Sequence, residues 1–367
     1  MHACHTIVTS MNVFGSPRAT MLDVARRAGV SEKSVSRVVN REPHVSQKLR
    51  EKVEAAIAEL GYVPDPAARS LAGARSFTIG LLLDSRGLHY SMKLMEGAYE
   101  ACRSFGYHLQ VENLDSKMDD AAQVARLENI LRTSRLDGVI VTPLFSDNGA
   151  MMDFLEQQGM PYARVAPFID RDRAPAAFMD DAAAAGEVAD LLVCNGHHRI
   201  GLVTGPMRHG AANARRTGFM ERIAKIAPDA VITEANGYFG FKEGIAAGRE
   251  LLDVADRPTA IFATNDDSAA GVMTACAQLG ITVPDDVSIC GFDDNLVAKS
   301  VWPYLTTVHQ PIAELAQQAA HLLLDRHAAN RRPASVLLPH RTVERDTIRN
   351  LRASEKVRRP VKGDDDA

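Results

Sequence analysis

The sequence predicts a small all-α headpiece followed by an α/β core of two lobes, each a Rossmann-like parallel sheet covered by helices. Three observations lead there. Residues 20–61 hold three helix starts in close succession, each followed by apolar residues at helical spacing. From residue 77 onward, eight apolar runs of strand length alternate with helical stretches, the rhythm of βαβ units. The 367 residues, 46% of them apolar, are too many for one small hydrophobic core.

The head reads ATMLDVARRAGVSEKSVSRVVNREPHVSQKLREKVEAAIAELGYVP. Thr20 is placed to cap the first helix, with Asp23 three residues on as the reciprocal partner of a capping box. Leu22, Val24 and Ala25 are its apolar positions, and Gly29 permits the turn that ends it. Ser31 starts the second helix, which ends near Asn40. Val35, Val38 and Val39 fall on one side of it, which leaves Glu32, Lys33, Ser34 and Arg37 pointing outward from the opening turns. Ser46 starts the third helix, with Leu49, Val53, Ala56, Ile57 and Leu60 at helical spacing and Gly61 as its stop.

Two short helices joined through a glycine turn and braced by a third match the helix-turn-helix plan. A helix packed on one side and charged at its N-terminal end suits the major groove. On that plan Lys33 and Arg37 reach base edges, and Glu32 accepts from cytosine or holds Lys33 in place. Thr20, Ser31, Ser34, Ser36, Asn40, His44 and Ser46 are candidate phosphate contacts. The competing reading makes Glu32 and Lys33 an ordinary solvated pair. The residues alone leave these two readings open. Residues 19–76 carry 10 Lys and Arg against 7 Asp and Glu, on a chain whose net charge is −4, which allows phosphate contact by the head. In PDPAARSLAG, Asp65 is an N-cap candidate and Pro66 suits the first helical position. The segment is too short to be a stable helix alone, so it is expected to order only when docked; the plain alternative is an interdomain linker.

The core strands are expected at 77–83, 107–111, 136–142, 162–166, 199–205, 230–233, 259–264 and 287–292. LTTVHQ (305–310) is expected to cross between the lobes, leaving a helix over 311–328 to finish one of them. Ligands of such folds bind beyond the carboxyl ends of the strands. Asp84 follows the first strand, Thr142 the third, Asn265 and Asp266 the seventh, and Asp293 and Asp294 the eighth. Carboxylates and amides there suit paired hydroxyls. Arg215, read at the start of a helix, offers a bidentate donor, and Phe239, read as opening the FGFKEG helix, a stacking face. Asp266, Asp294 and Asn265 are equally good helix caps, and at least one of each pair is expected to be one.

TMLDVARRAGVSEKSVSRVVN, then VSQKLREKVEAAIAELGYVPDPAARSLAG, then SFTIGLLL, resemble in unbroken order the headpiece, hinge and first core strand of the LacI/GalR family of bacterial transcriptional regulators. The resemblance runs from about Thr20 to about Asp346. It implies a periplasmic-binding-protein-like core and a homodimer whose paired hinge helices enter the minor groove, with Leu71 as the wedge between base pairs. It also implies effector contacts at Asp84, Arg215, Phe239, Asn265 and Asp293. The chain departs from the family in having Asp65 where Asn is common; an aspartate caps a helix but does not donate to a phosphate.

The expected organisation is a disordered leader over 1–18, the headpiece over 19–63, and a hinge helix over 64–74. An effector-binding and dimerisation core follows over 75–348, then a flexible charged tail over 349–367. The expected function is a sequence-specific DNA-binding regulator, read as a repressor, whose operator affinity is gated by a small carbohydrate between the lobes. The alternatives are a purine or other metabolite as effector, and a sugar-binding receptor without a regulatory role, against which the headpiece argues. An enzyme using Asp84 and Asp293 lacks a nucleophile motif, so no catalytic residue, metal or cofactor is expected.

Other features read plainly. His197 and His198 belong to a fixed polar turn, since a metal site would need more ligands, and His2, Cys4 and His5 form a loose cluster in the leader expected to be disordered. Arg164 is expected to pair with a carboxylate or a ligand in the cleft. Five cysteines without a CxxC pair fit reduced thiols in a cytoplasmic protein, and no apolar run is long enough to span a membrane.

Overall fold

The computed structural model describes residues 19–39, 45–62, 75–84, 87–325 and 334–352. The chain divides into two compact units, Met1–Ser76 and Phe77–Ala367.

In the first unit α1 spans Met21–Ala28, α2 Glu32–Val39 and α3 Gln47–Leu60. The capping box forms as the spacing predicts: the Asp23 amide donates to the Thr20 hydroxyl and the Thr20 amide to the Asp23 carboxylate. Gly29 ends α1 at φ +58°, a left-handed conformation that any side chain would strain. Val24, Ala25, Ala28, Val35, Val38, Val53, Ala56 and Tyr62 form one small core. Leu22, read as an apolar packing position, is instead 41% exposed, because the buried stripe of α1 runs through Val24, Ala25 and Ala28. Arg27 closes the bundle with a two-pronged ion pair to Glu59, linking α1 to α3.

The second unit carries β1 (Thr78–Leu83), α4 (Leu88–Ser104), β2 (His108–Asn113), α5 (Asp120–Thr133), β3 (Gly138–Val141), α6 (Gly149–Gln157), β4 (Tyr162–Val165) and β5 (Ala176–Phe178). After them come α7 (Asp181–Cys194), β6 (Arg199–Thr204), α8 (Gly210–Ile226), β7 (Val231–Asn236), α9 (Phe241–Leu252), β8 (Ala260–Ala263), α10 (Asp266–Leu279) and β9 (Ser288–Cys290). The last elements are β10 (Thr307–His309), α11 (Ile312–Leu324), β11 (Ser335–Leu337) and β12 (Arg341–Val343). All eight expected runs are strands; β5, β11 and β12 are short and were not signalled by an apolar run.

One parallel sheet has the order β2-β1-β3-β4-β5-β11, the other β7-β6-β8-β9. Alternation along the strands explains why both sheets are covered on both faces. In β1, Ile79, Leu81 and Leu83 pack under α4 and α11, while Leu82 packs under α5 and α6. In β8, Ala260 and Phe262 face α7 and α8, while Ile261 and Ala263 face α9 and α10. The chain passes from lobe to lobe after β5, at β10 and between β11 and β12, and β10 pairs antiparallel with β12 (Thr307 opposite Val343). The crossing expected at 305–310 is therefore present, and α11 completes the first lobe.

Candidate functional site

On the headpiece, Ser31 just before α2 and Glu32 and Lys33 in its first turn are exposed, with Ser34 and Arg37 half-buried. Ser31 accepts from the Ser34 amide, so the opening turn is held by its own hydroxyl. Thr20 spends its hydroxyl on Asp23, at 2.6 Å. Asn40, His44 and Leu71 lie outside the described residues.

In the core, the order of each sheet reverses beside its first strand: β1 stands between β2 and β3, and β6 between β7 and β8. Crevices open beyond the carboxyl ends at such positions, and the expected residues stand there. On the first lobe, Asp84 follows β1 and accepts from the Ser116 hydroxyl, and Thr142 follows β3 and donates to the Leu82 carbonyl at 2.7 Å.

On the second lobe, Asp293 and Phe239 stand beside the guanidinium of Arg215. Arg215 is 4% exposed. Its Nε donates to Asp181 at 2.8 Å, and its Nη1 to the Thr264 carbonyl at 2.7 Å and to Asp293 at 3.5 Å. Its Nη2 donates to Gln310 at 2.9 Å, and its Cζ lies 3.7 Å from the centre of the Phe292 ring. Phe239 stands 5.9 Å from the same guanidinium. Its ring sits over Gly205, where an added Cβ would come within 2.3 Å of it, so only glycine fits there. Asn265 is the N-cap of α10, accepting from the Ser268 amide at 3.1 Å, and its amide nitrogen donates to the Phe239 carbonyl at 3.0 Å. The cap reading of Asn265 thus holds, while Asp266 is fully buried and accepts from Thr307 and the Asn295 amide.

Two placements differ from expectation. Arg215 lies in the second turn of α8, whose N-terminus is at Gly210, and Phe239 precedes α9, which starts at Phe241 after the Gly240 cap. The aromatic is presented by a left-handed backbone at φ +61° rather than by a helix. Of the two partners expected for Arg164, the structure shows a carboxylate: the buried side chain pairs with Asp147 at 3.5 Å and donates to the carbonyls of Ser146, Ile169 and Asp170. It fixes the loop after β4. His197 is a buried turn residue, as expected, between Thr259 and the Arg349 carbonyl.

Asp181, Gln310 and Tyr90 belong to the cluster and were not singled out. Tyr90, on α4 of the first lobe, hydrogen-bonds Gln310 and lies near Arg215, Asp293 and Asp181. Asp181 opens the helix after the short strand β5, whose AAF carries no strong strand signal.

Electrostatics follow from burial. Burial raises the Asp293 carboxyl to about 7 despite Arg215, and raises Asp181 against the same cation. Burial also pushes the Tyr90 phenol up. It works against a charged Arg215, but Asp181 and Asp293 outweigh it and hold that group above its ordinary value. One cation shared by two buried carboxylates leaves the site short of positive charge. Asp293 and Asp294 have φ of +122° and +53°; such backbone costs about 1–3 kcal/mol per residue and persists where the surroundings fix it. The arrangement presents a fork donor, carboxylate and amide acceptors and an aromatic edge, the equipment for a polyhydroxylated molecule. Among the described residues no helix is long and apolar enough to cross a membrane, and no cluster of His, Cys, Asp and Glu is arranged for a metal ion.

A three-helix headpiece joined in one chain to a two-lobed core with a polar crevice defines a class of ligand-responsive regulators. The lacI family model of bacterial regulatory proteins matches residues 20–65, and a periplasmic binding protein-like domain model matches residues 189–348. The ribose operon repressor of Escherichia coli (strain K12) is 35% identical over 314 residues, 84% of this chain and 93% of that repressor. The lac repressor dimer bound to operator and the anti-inducer ONPF superimposes with a TM-score of 0.71 at 30% identity, over 91% of this chain and 100% of that one. A LacI family transcriptional regulator from Enterococcus faecium with bound ribose gives 0.67 at 28% identity, over 75% and 99%. The chain belongs to the LacI family of bacterial transcriptional regulators.

Proposed function

We propose that this chain is a homodimeric, cytoplasmic repressor that reads operator DNA with α2 and is gated by a neutral sugar bound at Arg215, without turnover of that sugar. The observation that carries the reading is the buried fork of Arg215 on Asp181, Asp293 and Gln310 at the strand ends. A ligand's hydroxyls are well suited to take over bonds that these groups now make to one another. The ribose-bound relative and the ribose operon repressor make ribose the first probe. Asp84 and Thr142 would close on the sugar from the first lobe, with Phe239 against its apolar face. On this reading the headpiece is 19–63, the hinge 64–74 and the core 75–348. The second copy would cover the apolar stripe of α4, where Leu88 is 66% exposed, Met92 54% and Tyr99 54%.

Two titrations test it. Calorimetry with ribose should show binding to the wild type and at least a tenfold loss in Asp293→Ala, about 1.4 kcal/mol. No heat with ribose, but heat with cellobiose or hypoxanthine, would replace the sugar and keep the site. Anisotropy at fixed salt on labelled DNA from the gene's own upstream region should show specific binding that Lys33→Ala and Arg37→Ala weaken; unchanged affinity in both would remove the headpiece assignment.

A further inference from the structure

Asp293 and Asp294 are consecutive, both follow β9, and their side chains have opposite duties. Asp293 joins Arg215 in the crevice. Asp294 takes the Arg345 guanidinium and the Lys299 amine on Oδ1 and the His309 imidazole on Oδ2, at 3.1 Å for the last. Burial works against its charge, but Arg345, with Lys299 and His309, holds the carboxyl below its ordinary value. The same division recurs on the crossing strand. Gln310 accepts from Arg215 in the crevice, while its neighbour His309 meets Asp294.

The two segments are also joined by backbone. The Asp293 amide donates to the Val308 carbonyl at 2.8 Å, and the Asp294 amide to the Thr307 hydroxyl at 3.4 Å. Arg345 leaves β12, the other strand of the crossing ribbon, and also donates to the Leu305 carbonyl at 2.7 Å. Asp294 therefore ties the end of β9 to both strands that carry the chain between lobes.

We infer that Asp294 is a positioning residue that relays the state of the crevice to the β10–β12 crossings through its clasp on His309 and Arg345. Anything that takes Asp293 and Gln310 away from Arg215 moves two backbones whose next residues are Asp294 and His309. The clasp converts that shift into a displacement of Arg345 and β12, which the crevice groups do not touch. Its regulatory meaning rests on the crevice being the effector site, but its mechanics need no effector.

The test is a double-variant cycle read by amide hydrogen exchange on the full-length, ligand-free protein. Asp293→Asn should speed exchange across residues 341–345 by about fivefold or more, although Asp293 makes no side-chain contact there. In an Asp294→Asn background the same change should add less than about twofold. An equal effect in both backgrounds would mean that strand pairing alone carries the signal, and no effect in either would mean that nothing is relayed; both overturn the inference. If Asp294→Asn does not fold, Arg345→Met and His309→Gln replace it, each removing one prong of the clasp. A merely structural Asp294 would lower stability without changing the response to Asp293→Asn. Because no ligand is used, failure here is separate from failure of ribose to bind.

Discussion

The headpiece and the crevice solve opposite problems. On α2 the leading groups assigned to DNA, Glu32 and Lys33, are exposed, and the structural work is done by Val35 and Val38 on the reverse face. In the crevice the groups assigned to the effector are buried and satisfied by one another, so Arg215, Asp181, Asp293 and Gln310 are at once the site and part of the core. A surface reader can lose a side chain without losing its fold. A buried polar cluster cannot, because each group removed leaves another without its partner in a low-dielectric setting.

Substitutions in the two regions test this contrast. The largest effect is expected from Arg215→Met. It leaves two carboxylates without their cation and should destabilise the core by about 3–5 kcal/mol in denaturant unfolding; a loss below about 1 kcal/mol would show that the cluster is dispensable to folding. Val35→Ala should lower headpiece stability by roughly 2 kcal/mol, from lost burial and a cavity, while the core transition stays in place. Calorimetry that resolves two transitions checks it.

Lys33→Ala should cost about 1–3 kcal/mol of operator affinity and alter base preference, yet change stability by no more than about 0.5 kcal/mol. Thr20→Ala should cost about 1 kcal/mol of headpiece stability through the lost cap.

A further effect is read as a slope against pH rather than as a single change. The folded-state pKa of Asp293 is raised from an ordinary 3.8 to about 7. Between those values the folded protein binds more protons than the unfolded chain, so this group makes stability fall as pH rises through that window. Asp293→Asn should flatten that part of the pH–stability profile; an unchanged profile would mean that another group carries it.

Much of this contrast was legible in the sequence. Capping boxes, glycine stops and apolar spacing are local signals, so α1, α2 and α3 could be placed from Thr20, Ser31 and Ser46. Strand ends were legible for the same reason, and they pointed to Asp84, Thr142, Asn265 and Asp293. The rest of the Arg215 cluster was not. Asp181, Gln310 and Tyr90 come from a three-residue strand's exit, a lobe crossing and the opposite lobe, and no local period brings them together. For Arg164 a carboxylate partner was among the expectations and Asp147 is one, but a lone arginine in a strand does not announce which carbonyls it will also collect. Leu22 was misjudged because α1 is only eight residues long, too short for its apolar stripe to be assigned from spacing alone.

On the proposed function, occupation of the Arg215 crevice changes what α2 does on DNA. The most direct measurement adds ribose to a preformed complex of the full-length protein with its upstream DNA, at fixed salt, and follows anisotropy. The account predicts a shift in operator affinity of about tenfold or more, that is about 1.4 kcal/mol of coupling, absent in Asp293→Ala. Ribose that binds the wild type by calorimetry yet leaves operator affinity unchanged would contradict it.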